Sequence, residues 1–93
     1  MIRNKDYTPN INAELDLHGC YADEAREEVR DFLNEAKQNN WSRIRIIVGK
    51  GLHSEGGIAV LPDTVKALLK EQGLLYTYAK IQDGGEGALE VSL

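Results

Sequence analysis

The stretch RIRIIV at residues 43–48 decides the fold, and the GKG of residues 49–51 ends it abruptly. β-Branched side chains favour strands, and about six residues is a usual strand length. Glycines directly after such a run mark the point where the chain leaves the sheet. The sequence therefore predicts a buried central strand with a glycine-rich loop at its carboxyl end.

Amphipathic helices are predicted on both sides of this strand. Residues 22–37 carry apolar side chains at spacings of three, four and seven, which share one helix face; these are Ala22, Ala25, Val29, Phe32, Leu33 and Ala36. A second helix is predicted over 61–72, with Gly73 at its end. Tyr21 stands at the start of the first helix and cannot cap it as a Ser or Thr would. We therefore expect that helix start to be weakly anchored.

Three further strands complete the expected domain. They are predicted at 14–19, 74–81 and 88–93, with a turn at 83–87 before the last. The resulting order β-α-β-α-β-β predicts an α/β fold, a two-layer sandwich with a mixed four-stranded sheet. Residues 1–13 are polar and predict an irregular N-terminal arm in front of a single domain at 14–93.

Composition excludes several classes of protein. The chain has 93 residues and a net charge of −4, and its one cysteine, Cys20, cannot form an intramolecular disulfide. We expect a cytoplasmic protein with no membrane partner, because the sequence contains no apolar run of about 18 residues and no signal-peptide pattern. Residues 41–80 hold six basic and three acidic side chains, a net charge of +3. A polyanion would therefore meet the protein through this middle region.

Polar residues collect where the first two parallel strands end. Asp16 and His18 lie at one strand end, and the other continues into the glycine loop, whose residues are Gly49, Lys50, Gly51, His53 and Ser54. Ligands of open α/β sheets bind at this edge. Glycine N–H groups, a lysine and a helix N-terminus suit a phosphate, and two imidazoles suit acid/base chemistry near neutral pH.

The roles of several other basic and aromatic side chains are open to more than one interpretation. Arg43 and Arg45 could contact backbone phosphates or lie on a solvated face. Trp41, Tyr76 and Tyr78 are expected to serve packing rather than base stacking. No metal site and no cofactor are predicted, because the edge is poor in carboxylates. A divalent metal becomes a possible cofactor if the substrate is DNA, which lacks the 2′-hydroxyl that can act as an internal nucleophile.

Three motifs together resemble the Smr (small MutS-related) domain. They are LDLHG at 15–19, GKGxHS at 49–54 and GGxGA at 84–88, and the resemblance covers residues 14–93. Many family members carry a histidine at the position of Val48. This chain instead resembles the branch with the GxGxHS pattern.

The resemblance implies a fold similar to the C-terminal domain of translation initiation factor three. It also implies an endonuclease that cleaves a phosphodiester bond in RNA or DNA. His18 and His53 would be the acid/base residues, with Asp16 orienting His18. The phosphate-binding residues would be Gly49, Lys50, Gly51 and Ser54. The alternative is a non-catalytic module that binds structured nucleic acid or the ribosome. With either function, the short charged chain without a coiled-coil seam is expected to be a monomer.

Overall fold

The fold is a mixed sheet with helices on one face. The computed structural model describes residues 2–8, 11–49, 60–80 and 85–93. Within them, the elements are β1 (Ile2–Thr8), β2 (Ile11–Asp16), α1 (Ala22–Gln38), β3 (Arg43–Ile47), α2 (Val60–Glu71), β4 (Leu75–Tyr78), a short 3-10 helix (Gly85–Gly87) and β5 (Ala88–Ser92). None of the helices in this described part is long and apolar enough to cross a membrane.

The predicted central strand, β3, has a neighbour on each side. The strand order is β1-β2-β3-β5-β4. β3 pairs with β2 in parallel and with β5 antiparallel, and β4 pairs antiparallel with β5. β2, β3 and β4 therefore all point the same way, and their carboxyl ends lie at one edge of the sheet. The α/β fold and the mixed sheet are confirmed.

Strand alternation separates an apolar face from a polar face. Ile44 and Ile46 of β3 are fully buried, and they pack with the apolar faces of both helices. The helix residues in this core are those with the predicted spacing: Ala25, Val29, Phe32, Ala36, Val65, Leu68 and Leu69. Phe32 also contacts Trp41, with ring centroids 5.9 Å apart. Burying a side chain of this size contributes about 1.5–3 kcal/mol.

The prediction for residues 1–13 is wrong. They were expected to be irregular, but Ile2–Thr8 and Ile11–Asp16 form an antiparallel pair, so the sheet has five strands rather than four. The first predicted strand thus begins at Ile11 and ends at Asp16 instead of residue 19. Pairing with a neighbouring strand supplies the backbone hydrogen bonds that the local polar sequence did not suggest.

Smaller corrections concern the carboxyl-terminal strands. β4 is shorter than predicted and ends at Tyr78. The last strand was predicted to run to residue 93, but Leu93 is exposed and lies beyond β5. The start of α1 is better anchored than expected, because the Tyr21 N–H donates to Oε1 of Glu24 at 3.1 Å. This bond is one half of a capping box.

Candidate functional site

The ends of β2 and β3 meet at the edge where the sequence placed the site. Asp16 pairs with Ile47, and the Leu17 N–H donates to the Ile47 carbonyl at 2.9 Å. The two residues that follow β3 are Val48 and Gly49. Their N–H groups both donate to the Gly87 carbonyl, at 2.9 and 3.0 Å. The segment before β5 therefore joins the same edge.

His18 sits in a tight turn that Asp16 holds. The Cys20 N–H donates to the Leu17 carbonyl at 2.9 Å, and Gly19 has a φ of +86°. A positive φ at the third residue of such a turn is the requirement of a type II turn, and glycine meets it without strain. Oδ1 of Asp16 accepts a hydrogen bond from the His18 N–H at 2.9 Å. The turn leaves His18 exposed beside a half-buried Asp16.

This geometry refines the role expected for Asp16. The sequence suggested that Asp16 orients the imidazole of His18. The hydrogen bond runs instead to the His18 backbone, so Asp16 positions the residue through its turn. An Asp side chain that bonds the backbone two residues on is an Asx turn.

Gly49 contributes to the edge through its backbone conformation. Its φ is +75°, and an added Cβ would meet open space. Its N–H is already bonded to Gly87 and is engaged in the fold rather than directed at a ligand. A phosphate cradle would thus begin after Gly49. The other predicted cradle and acid/base residues, Lys50, Gly51, His53 and Ser54, lie outside the described residues.

The prediction that Arg45 contacts phosphate is contradicted by its surroundings. Its side chain is 3% exposed and makes ion pairs with Glu14 at 3.2 Å and with Glu90 at 3.0 Å. Arg43 pairs with the other oxygen of Glu90 at 3.1 Å and stands at the end of β3 remote from His18. These charges form a cross-strand network on the sheet face opposite the helices.

The network shifts the acidity of its central carboxylate. Burial raises the pKa of Glu90, but hydrogen bonds from Arg45 and Arg43 outweigh it and hold that pKa below the ordinary value. Carboxylates that accept charged hydrogen bonds stay ionised to lower pH. The two arginines therefore serve the stability of the sheet.

Two further residues near the edge belong to the core. Val48, at the position where many Smr domains carry histidine, is 3% exposed and packs with the core cluster. Cys20 is half-buried and contacts the same cluster. Burial, with the nearby Glu24 carboxylate adding to it, raises the pKa of the Cys20 thiol. A raised pKa makes a thiol less reactive.

Exposed tyrosines are the residues whose placement the sequence missed. Tyr76 and Tyr78 were expected to pack, but they are 36% and 49% exposed on edge strand β4. Lys66 of α2 donates a hydrogen bond to the Tyr78 hydroxyl at 2.5 Å, and this bond raises the pKa of Lys66. Tyr21 is 81% exposed. One feature of the sequence set Tyr21 apart: it stands at the start of a helix that its side chain cannot cap.

Metal ligands do not cluster in the part of the chain that the structure describes. No group of three His, Cys, Asp or Glu side chains there could hold a metal ion. At the described edge, Asp16 supplies a carboxylate and His18 an imidazole, beside glycines. This set suits proton transfer to or from a ligand held at the edge.

Known structures share this architecture. The Smr domain of MutS2 from Thermus thermophilus superposes with a TM-score of 0.74 at 29% identity, covering 86% of this chain and 95% of that chain. YdaL, a stand-alone small MutS-related protein from Escherichia coli, superposes with a TM-score of 0.77 at 28% identity, covering 86% of this chain and 63% of that chain.

Curated proteins match over nearly the whole chain. Endonuclease NBR9 of Saccharomyces cerevisiae is 33% identical over 90 residues, which are 97% of this chain and 35% of that protein. Endonuclease MutS2 of Bacillus mycoides is 32% identical over 92 residues, which are 99% of this chain and 11% of that protein. The chain thus spans about a third of the first relative and a tenth of the second. The sequence model of the Smr domain matches residues 15–93. With that match and the shared fold, the chain belongs to the Smr domain family.

Proposed function

We propose that this chain is an endonuclease that cleaves a phosphodiester bond in RNA, with His18 as an acid/base residue. The observation that carries the proposal is the Asp16-held turn, which presents His18 to solvent at the strand edge. Two relatives that match almost the entire chain are named endonucleases. RNA is favoured over DNA because the described edge is poor in carboxylates and RNA supplies its own nucleophile.

The chemistry requires one base and one acid. The base removes the proton of a ribose 2′-hydroxyl, whose oxygen then attacks the adjacent phosphorus. The bond from phosphorus to the 5′-oxygen breaks, and the acid protonates that leaving oxygen. The products are a 2′,3′-cyclic phosphate and a 5′-hydroxyl end. Positioned acid/base groups contribute about 10²–10⁴ each to such a rate.

His18 fills one of these two roles, and His53 is proposed for the other. Lys50, Gly51 and Ser54 are proposed to hold the phosphate, since a lysine ammonium and glycine N–H groups recognise its oxygens. Asp16 keeps His18 in place through the turn. A substrate bound on the ribosome is a further proposal, as is action as a monomer in the cytoplasm.

The test is cleavage of an end-labelled structured RNA, and of supercoiled DNA, each with EDTA and with Mg²⁺. We expect RNA cleavage by the purified chain that survives EDTA and is lost in His18→Ala. A 2′-deoxy substitution at the cleaved nucleotide should stop the reaction, and the products should carry a cyclic phosphate. A folded His18→Ala protein that still cleaves would remove His18 from the mechanism. Cleavage of DNA alone, with Mg²⁺ required, would replace the proposed chemistry with metal-assisted hydrolysis.

A binding module without catalysis is the second candidate. It is favoured by Val48, which places an apolar core side chain where many family members have histidine. This candidate predicts binding of structured nucleic acid that weakens with salt, and no cleavage in any of the four conditions. Circular dichroism of His18→Ala would serve as the folding control in both cases.

A further inference from the structure

Two exposed tyrosines lie near the edge that holds His18, one after β2 and the other at the end of β4. Tyr21 follows the turn after β2, three residues from His18, so its Cα lies within about 11 Å of that residue's. Tyr78 is the last residue of β4, and β4 points in the same direction as β2. The ends of β2 and β4, which these tyrosines follow and close, lie on either side of Gly49 and Gly87.

The strand order gives the distance that the edge spans. β3 and β5 lie between β2 and β4, so three steps of about 4.8 Å separate the outer two strands, about 14 Å in all. Tyr78 is aligned through Leu89 and Ile46 with Leu15 of β2. The register thus places Tyr78 near the level of the β2 end, not at the remote end of the sheet.

The contact between Tyr78 and Lys66 leaves the ring available. Nζ of Lys66 is 2.5 Å from the Tyr78 hydroxyl and 4.7 Å from the ring centroid. The ammonium therefore lies at the hydroxyl end of the ring and does not cover its face. The side chain is 49% exposed, and the hydrogen bond fixes its orientation. A ring held in this way loses little freedom when a planar group stacks on it.

Tyr21 is held by its backbone while its ring is open to solvent. Its N–H is bonded to Glu24, its backbone is extended at φ −76° and ψ 161°, and its side chain is 81% exposed. Asp23 and Glu24 follow in the first turn of α1, after Ala22, so the chain beside Tyr21 repels phosphates. A nucleic acid would meet Tyr21 through a base, not through its backbone.

The opposite end of the edge is favourable for phosphates. Lys66 and Lys70 are four residues apart on α2 and share a helix face, and Lys80 follows β4. Two acids lie nearby: Asp63, whose charge acts on Lys66, and Glu71, whose carboxylate lies 4.0 Å from Arg26 of α1. Exposed aromatic rings beside lysines recognise single-stranded nucleic acid, because unpaired bases stack on the rings and phosphates pair with the cations.

We propose that this edge binds single-stranded RNA, with an unpaired base stacked on Tyr21 and another on Tyr78, and with Lys66 beside the strand. The proposal rests on the proposed function and names its substrate class. Bases inside a duplex are already stacked on each other and are not offered to such rings. The tyrosines would thus select RNA that is unpaired around the cleaved bond.

The experiment measures binding of a fluorescein-labelled 12-nucleotide RNA by anisotropy, alone and annealed to its complement. It uses the His18→Ala chain so that cleavage does not deplete the probe. We expect Tyr21→Ala and Tyr78→Ala each to weaken single-strand binding about tenfold, since stacking one base contributes a factor of roughly 5–150. Duplex binding and the salt dependence should be unchanged. Phe at either position should restore binding, because the ring is kept.

Leu75→Ala is the matched control. Leu75 is 79% exposed on the same strand, but it lies at the other end of β4 and on the opposite sheet face, so its loss should not affect binding. Unchanged single-strand binding in both tyrosine variants would overturn the proposal, and so would an equal loss for both probes. A self-association of the chain that Tyr78→Ala abolishes, with RNA binding unchanged, would assign the ring to a protein contact and overturn it too.

The same binding and cleavage data distinguish a failure of the proposed function from a failure of the stacking proposal alone. If the chain with native tyrosines binds neither probe and wild-type protein cleaves no RNA, the proposed function falls and the stacking proposal falls with it. If wild-type protein cleaves RNA and binds the single strand, but the tyrosine variants do not differ, only the stacking proposal is overturned.

Discussion

The His18 N–H donates to Oδ1 of Asp16 at 2.9 Å, and this bond joins the last residue of β2 to the exposed histidine of the edge. The central residues of the turn are His18 and Gly19, and a hydrogen bond from the Cys20 N–H to the Leu17 carbonyl closes it. Because Asp16 bonds the backbone, the turn depends on its acceptor oxygen rather than on its negative charge, and so would any activity of His18 under the proposed function. This distinction can be measured.

Asp16→Asn should retain most of the activity, and Asp16→Ala should not. An Asn side chain keeps an oxygen that can accept the His18 N–H, whereas Ala removes it and costs about 1 kcal/mol of turn stability. We expect RNA cleavage by Asp16→Asn within a few-fold of wild type and an unchanged pH profile. A large loss in Asp16→Asn with a displaced pH optimum would show that the carboxylate acts on the imidazole instead.

Gly19→Ala should distort the same turn. The φ of Gly19 is +86°, and an added Cβ meets nothing within 4 Å, so the cost comes from backbone conformation and not from a clash. That conformation costs a residue with a Cβ about 1–2 kcal/mol. Urea unfolding should report this loss, with RNA cleavage reduced. Gly19→Asn, which tolerates positive φ better, should lose less, and equal losses for both variants would contradict the conformational explanation.

Local patterns predicted the helices and the central strand because the spacing of apolar residues along the chain indicates which face is buried. The face of α1 built on Ala25, Val29 and Phe32 is an example. The first strand was missed for the opposite reason. The sequence IRNKDYT carries no apolar alternation, and its strand conformation depends on hydrogen bonds to β2, which no local pattern encodes.

The sequence predicted the position of residues whose placement depends on where a strand ends. It did not predict the surroundings of residues whose partners are distant in the sequence. Asp16 and His18 follow from the rule that parallel strands present ligand-binding residues at their carboxyl ends. Arg45 could not be assigned in this way, because its partners Glu14 and Glu90 are 31 and 45 residues away in the sequence. The exposure of Tyr78 likewise follows from the position of β4 at the end of the sheet.

Glu90 should make the stability of the fold depend on acid pH. Its pKa in the folded chain is lowered by the two arginines, against the effect of burial. Its contribution is therefore complete above the ordinary Glu pKa of 4.5 and is lost as the pH falls through the lower folded value. Free energies of unfolding in urea, measured from pH 7 to pH 3, should fall less steeply in Glu90→Gln than in wild type. Parallel pH curves for the two proteins would contradict this assignment.

Arg45→Met should destabilise the fold without removing a contact to RNA. The guanidinium is 3% exposed between two carboxylates, and removing one member of a buried ion pair costs about 3–5 kcal/mol because its partners stay buried and charged. Urea unfolding should show this loss. At a temperature where the variant is folded, RNA affinity and its salt dependence should match wild type, since no phosphate contact is lost. Arg30→Met, an exposed change on α1, is the control and should leave both quantities unchanged. A reduced salt dependence of RNA binding in folded Arg45→Met would instead indicate that Arg45 contacts RNA phosphates.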